Sequence, residues 1–341
     1  MHTRSRLRRT VAAVLAVAIA AALLAACSSG DGGERLTIYS GRTQELIEPL
    51  LEQFADDTGI GIDVRYGDSA DLALLIDEEG DRSPADVFLS QSPGSTGYLD
   101  SKGRLRKVEQ SVLDLVPERF RADDGRWVGV SGRVRVLVYN PDAVSEAELP
   151  RSVFDVTDPR YRDRVGVAPP NASFQDFVTA MRELVGEDRT REWLEGLVAN
   201  GVKTYPNNIA IVQAVDRGEI DMGLVNDYYL YELQAQDPDI SARNYYFPDG
   251  DIGSLILVTT VGVLDTADDP EQAEQLIEYL LSKRAQEFYA DESFEYPLAR
   301  GVPPAGDKPP LSSITSPTLD LSSLGDGLVR TRELITDAGL R

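Results

Sequence analysis

The feature that most restricts this chain is a regular alternation of short β-rich runs and amphipathic helical stretches that starts at Leu36. Residues 36–40 (LTIYS) read as an apolar strand. Leu46, Ile47, Leu50, Leu51 and Phe54 then recur on one face of a 3.6-residue period, with Thr43 placed to cap that helix. Gly59 and Gly61 interrupt it, 62–66 (IDVRY) form a second strand, 70–79 a second helix and 86–90 (DVFLS) a buried third strand. This βαβαβ series is the unit of an open parallel sheet covered by helices on both faces. A strong strand over 134–139 (VRVLVY) opens a second series. It holds a strand over 165–168, helices from Ser173 and from Asp188 or Thr190, a helix over 208–217, a strand over 222–225 and a helix opening near Asn226. A β-rich run over 255–264 (LILVTTVGVL) precedes helical stretches over 270–281 and on to Tyr289, and a last helix lies within 321–340. Two such series joined by long β runs predict an α/β chain in two lobes, each a doubly wound mixed sheet, with a ligand cleft between them. The expected lobes are residues 35–133 with about 258–310, and about 134–257 with about 311–341. The competing architecture is one large doubly wound sheet without a hinge.

The first 26 residues carry Arg4, Arg6, Arg8 and Arg9, then an apolar run over 11–26 that is short for a membrane span and suited to a secretion signal. The run ends in Leu24-Ala25-Ala26-Cys27, which resembles a bacterial lipoprotein lipobox. That resemblance implies cleavage after residue 26, lipidation of Cys27 and anchoring at the outer face of the cell membrane, with residues 27–34 as a flexible tether. A plain signal peptide is the alternative, and the twin Arg8-Arg9 leaves the Sec or Tat export route open.

Composition then excludes several chemistries. The leader holds the only histidine, His2, and no acid, so its removal takes the formal charge from −23 to −27 and leaves Cys27 as the only cysteine. No Ser-His-Asp or Cys-His site, no Cys/His zinc site and no disulfide within one chain can form. A bound metal would need oxygen donors, which suit hard cations. The acidic balance argues against nucleic acid and against a basic membrane-binding face, and it suits a monomer kept apart by self-repulsion. A secreted enzyme with a carboxylate pair remains conceivable in so acidic a chain, but no pair stands out.

The strand and helix series looks like a type II periplasmic binding protein. Six segments, in order, carry a narrower resemblance: LTIYSGR (36–42), GDRSPADVFLS (80–90), SGRVRVLVY (131–139), AIVQAVDRGEID (210–221), GLVNDYY (223–229) and EYPL (295–298). Together they resemble the ferric-ion-binding proteins of iron ABC transporters. The resemblance implies a lipid-anchored solute-binding protein, not an enzyme, that captures Fe³⁺ and delivers it to an ABC permease. Sister branches bind organic solutes such as phosphonates, polyamines or thiamine-like compounds, and that alternative stays open.

In the family, an adjacent tyrosine pair holds the ferric ion; here the matching residues are Tyr228 and Tyr229. Neighbouring strand residues point to opposite faces, so both rings converge only where strand gives way to helix, and Asn226-Asp227 marks such a transition. The family's histidine and glutamate ligands fall at Thr43 and Gln91, and a tyrosine ligand of other branches falls at Phe174. Gln91 retains a neutral oxygen as a candidate ligand. The departures imply Fe³⁺ completed by a synergistic anion or a small chelator. The family's anion pocket matches Asn171, Ala172 and Ser173 at a helix start, with Asn208 and Asn226; Asn171 or Ser173 would serve equally as N-caps, and Asn208 reads as a cap for the helix after it. Arg42 is a candidate partner for an anionic chelator or for a nearby acid, and Arg135 is expected to pair with an acid. Tyr205 is a weaker ligand candidate. Tyr245-Tyr246 lies on a strand edge, where its rings diverge.

Overall fold

A computed structural model describes residues 35–306 and 308–341; the expected leader, Cys27 and the tether lie outside the described residues. In chain order the elements begin β1 (Leu36–Ser40), α1 (Gln44–Thr58), β2 (Ile62–Tyr66), α2 (Ser69–Glu79), β3 (Val87–Ser90), α3 (Pro93–Ser101), α4 (Gln110–Leu113) and β4 (Val128–Tyr139). There follow β5 (Val165–Val167), α5 (Ala172–Val185), α6 (Glu187–Ala199), β6 (Lys203–Thr204), α7 (Asn208–Asp216), β7 (Met222–Asn226), α8 (Tyr228–Gln236) and β8 (Arg243–Tyr245). The chain ends with β9 (Ile256–Val263), α9 (Pro270–Leu280), α10 (Lys283–Asp291), β10 (Tyr296–Pro297) and α11 (Leu324–Asp337).

The first series pairs as the alternation predicts: β1 lies between β2 and β3, parallel to both. β9 returns antiparallel beside β3 and then pairs with β4. In the second series β7 pairs antiparallel with β4, and β5 and β6 follow in parallel. β4 is the strand both sheets share. Up to Val134 it pairs with β9, and from Arg135 it pairs with β7. All of its residues are buried, as expected of a strand covered on both faces.

β4 begins at Val128 rather than at the predicted position 134, because Gly129, Ser131 and Gly132 interrupt the apolar pattern while still pairing with β9 and β10. In α1 the apolar face is buried through Ile47, Leu50, Leu51 and Phe54. Thr43 occupies the N-cap position, but its side chain makes no capping bond. The predicted helical stretch after Pro270 is two helices: it breaks after Leu280, and Ser282 restarts it by accepting from the Ala285 amide. Among the described residues, no helix is long and apolar enough to cross a membrane.

Candidate metal centre

The tyrosine pair stands where β7 becomes α8. Asp227 has already turned to helical dihedrals, so Tyr228 and Tyr229 leave the chain on neighbouring helical positions instead of opposite strand faces. Their ring centroids are 4.1 Å apart with 31° between planes, and the residues are 0% and 6% exposed. Asp227 anchors this corner. Its carboxylate accepts from the Val134 amide at 3.0 Å, at the point where β4 changes sheets, and pairs with buried Lys308 at 2.8 Å. Tyr246 turns away from Tyr245 and donates to Asp227 at 3.4 Å, while Tyr245 meets Phe247 edge-on.

Gln91, which follows β3, reaches both phenols: its Nε2 lies 2.9 Å from the Tyr228 hydroxyl and 3.4 Å from that of Tyr229. The residue in the family's glutamate position therefore touches the pair, presenting its amide N–H to the oxygens. Phe174 is fully buried in the hydrophobic core. Tyr205 packs against Gly166 beside Ile220.

Three buried arginines act on the pair. Arg42 donates two bonds to Glu295, at 3.1 and 2.7 Å, in an ion pair with no exposure on either side. Burial works against its charge, but Glu295 and the phenols outweigh it, so its pKa is raised. Arg133 donates from Nη2 to the Gln91 carbonyl, and its Nε and Nη1 have no hydrogen-bond partner among the described residues. Among the described residues Arg135 pairs with no acid, contrary to expectation. It donates to Asn226 Oδ1 and to the Leu224 carbonyl, both at 3.1 Å, and lies 5.4 Å from the Phe177 ring centroid. The strand register explains this, since Arg135 faces Asn226 directly across β7. Burial and then the Arg133 charge lower its pKa to about 9. Tyr228 is raised well above its usual value by burial and by Tyr229, against the pull of Arg42 and Arg133.

The residues of the expected anion pocket hydrogen-bond to one another. Asn171 caps α5 by accepting from the Ser173 amide at 3.1 Å, and also accepts from the Ser173 hydroxyl and from Asn208 Nδ2. Asn226 Nδ2 donates to Ser173 Oγ at 3.0 Å. Ala172 is buried beside them. Asn208 is not the cap of α7: Asn207 fills that role, bonding the Ala210 amide, and Asn208 is the first helical residue with an unpartnered Oδ1. The two adjacent asparagines differ in sequence only by one step, within the usual error of a helix boundary.

Among the described residues no three His, Cys, Asp or Glu side chains gather into a metal-binding group. The donor set at the tyrosine corner is phenol oxygen with amide and guanidinium N–H around it. Residues 82–319 match the bacterial extracellular solute-binding protein family. The chain belongs to that family. It is 32% identical over 331 residues to the Fe(3+)-binding periplasmic protein of Serratia marcescens, covering 96% of each chain. Its fold matches iron-bound HitA from Pseudomonas aeruginosa at a TM-score of 0.85 and 35% identity, over 90% of this chain and 99% of that one. A Trichodesmium protein solved with iron and citrate ligands matches at 0.78 and 26% identity, over 90% and 100%. The architecture is thus the two-lobe type II periplasmic binding protein fold, as the alternation predicted, and the relatives are binding proteins rather than enzymes.

What the sequence reading missed is the difference between the arginines. Among the described residues Arg133 leaves two N–H donors, Nε and Nη1, unpartnered beside the phenols, where Arg42 and Arg135 each leave only Nε.

Proposed function

We propose that this solute-binding protein captures ferric iron as an anionic chelate and hands it to an ABC permease. The observation that carries this reading is the converged, buried tyrosine pair. A free phenol titrates at about 10, and a trivalent cation displaces that proton, giving two hard charged donors on one ion. Local charge supports a chelate over the bare ion. Arg42, Arg133 and Arg135 all act on the phenols, while Glu295 pairs directly with Arg42 alone and the buried Asp176 carboxylate feels the Arg133 charge without an ion-pair contact. Adding Fe³⁺ alone would stack further positive charge in a buried site; a polycarboxylate such as citrate brings the compensating charge. Arg133 would hold one carboxylate of that chelator through Nε and Nη1, while the Asn171–Ser173–Asn226 network acts as the wall behind it.

The lobes are residues 35–133 with about 258–310, and about 134–257 with about 311–341. The switch of β4 from β9 to β7 between Val134 and Arg135 supports that division. Closure of one lobe on the other encloses the chelate and creates the form the permease recognises. The protein works as a monomer outside the cytoplasm, tethered through Cys27.

A visible absorption titration tests the reading. Ferric citrate added to the metal-stripped mature protein at neutral pH is expected to give a phenolate-to-iron band at one equivalent. Tyr228→Phe and Tyr229→Phe should each weaken binding by about a hundredfold, or about 2.7 kcal/mol. No band and no thermal stabilisation by ferric citrate would remove iron. A thermal-shift screen of phosphonates, polyamines and thiamine-like compounds would then assign the solute.

A further inference from the structure

The N-terminus of α3 is held by a carboxylate from the other sheet's helices. α3 follows β3, whereas Asp176 stands on α5, which follows β5 in the second sheet. Ser92, the N-cap of α3, accepts from the Ser95 amide and donates its hydroxyl to Asp176 Oδ1 at 2.6 Å. The Gly94 backbone lies against the same carboxylate oxygen. Asp176 is 1% exposed. A helix start offers free N–H groups and a positive dipole end, so a buried carboxylate there acts as a cap supplied by another element.

The fit along the rest of α3 is equally close. A Cβ added at Gly94 would stand 2.6 Å from Asp176 Oδ1, and one at Gly97 would stand 2.6 Å from the Ser322 carbonyl oxygen. Gly325 of α11 meets the backbone of Gly97 directly. α11 is in turn fastened to α5 by Thr179–Thr331 at 2.7 Å and by Arg182 donating to the Gly327 carbonyl at 3.0 Å. α3 thus lies in a seat built from α5 and α11, and only glycine at positions 94, 97 and 325 allows that depth.

Gln91 is the residue before the cap, and its amide is on both tyrosine hydroxyls. We infer that Asp176 is a positioning residue: by capping α3 from α5 it latches the two halves together and sets Gln91 against Tyr228 and Tyr229. The inference rests on the reading that the protein closes on a ligand at the tyrosine pair.

The test uses ferric citrate and the mature protein, with release followed as loss of the phenolate–iron band to excess chelator. Asp176→Ala is expected to keep the band's wavelength and to release iron about tenfold faster, because the buried Ser92 hydroxyl at the start of α3 loses its acceptor. Asp176→Asn keeps an acceptor oxygen and should return the rate to within about threefold of the parent. Gly94→Ala should match Asp176→Ala. Equal release rates for Asp176→Ala and the parent would overturn the latch, as would an Asp176→Asn variant as fast as the alanine. If the parent shows no band, the ferric reading fails by itself. Hydrogen exchange of residues 91–97 in the iron-free protein then decides the latch: faster exchange in Asp176→Ala supports it, and unchanged exchange refutes it.

Discussion

Arg42 and Arg133 make an instructive pair. Both are fully buried and both act on the tyrosines, yet they stand in opposite chemical situations. Arg42 is neutralised: a bidentate pair with Glu295, which also accepts from Ser131 at 3.1 Å, leaves only its Nε unpartnered. Arg133 is open, with two N–H groups unpartnered and no carboxylate within ion-pair distance among the described residues. A buried charge without a partner is costly, so a fold that retains one at a cleft has a use for it there. The contrast predicts that Arg42 serves the framework and Arg133 the ligand.

The largest expected effect breaks the first half of this comparison. Arg42→Ala leaves Glu295 buried and unpaired, which should destabilise the fold by about 3–5 kcal/mol. Chemical denaturation measures it. A loss below about 1 kcal/mol would mean that Arg42 is not framework.

Arg133→Met should behave in the opposite way. Removing an unpaired buried cation also relieves Arg135, whose pKa Arg133 helps to lower, so the denaturation midpoint should hold or rise. Ferric citrate affinity should fall by about ten- to a hundredfold, or about 1.4–2.7 kcal/mol, as one charge-assisted carboxylate contact is lost. Isothermal titration separates the two effects. Reduced stability with unchanged affinity would reverse the assignment.

Next comes the helix start that the sequence marked as the anion pocket. Asn171→Ala removes a cap and should cost about 1 kcal/mol of stability, while ferric citrate affinity stays within about twofold. A larger loss of affinity than of stability would return the anion to Asn171 and Ser173.

How far the residues alone reveal this site follows from separation along the chain. The βαβαβ start rests on neighbours, and local pattern was enough for it; the Asn226-Asp227 transition permits Tyr228 and Tyr229 to converge, but it was the family resemblance that singled the pair out. Which arginine is open is a different kind of fact. Arg42 meets Glu295 across 253 positions, and Asp176 meets Ser92 across 84. No periodicity carries such pairings; they follow from how β4 and β9 bring the ends of distant elements together. The Asn207–Asn208 exchange is a smaller failure of the same origin, since either residue caps a helix well until the tertiary fold places the first turn.

The smallest expected effect lies at the surface and tests whether arginine–carboxylate balance matters there at all. Glu187, at the start of α6, is surrounded by Arg182, Arg191 and Arg330, the reverse of the Arg133 corner. The hydrogen bond from Arg330, helped by its charge and that of Arg182, lowers the carboxyl to about 2. A depressed carboxyl stabilises the folded state above its ordinary titration range, and that contribution is lost as pH falls toward about 2. Arg330→Ala should therefore lower stability slightly near pH 7, by an amount kept small because the pair is solvent-screened, with the difference fading toward about pH 2 and the acid-unfolding midpoint moving to slightly higher pH. Circular dichroism between pH 5 and pH 2, within about that window, reads the shift. Parent and variant unfolding together would show that the cluster adds nothing, and that only buried imbalance, as at Arg133, has consequences in this protein.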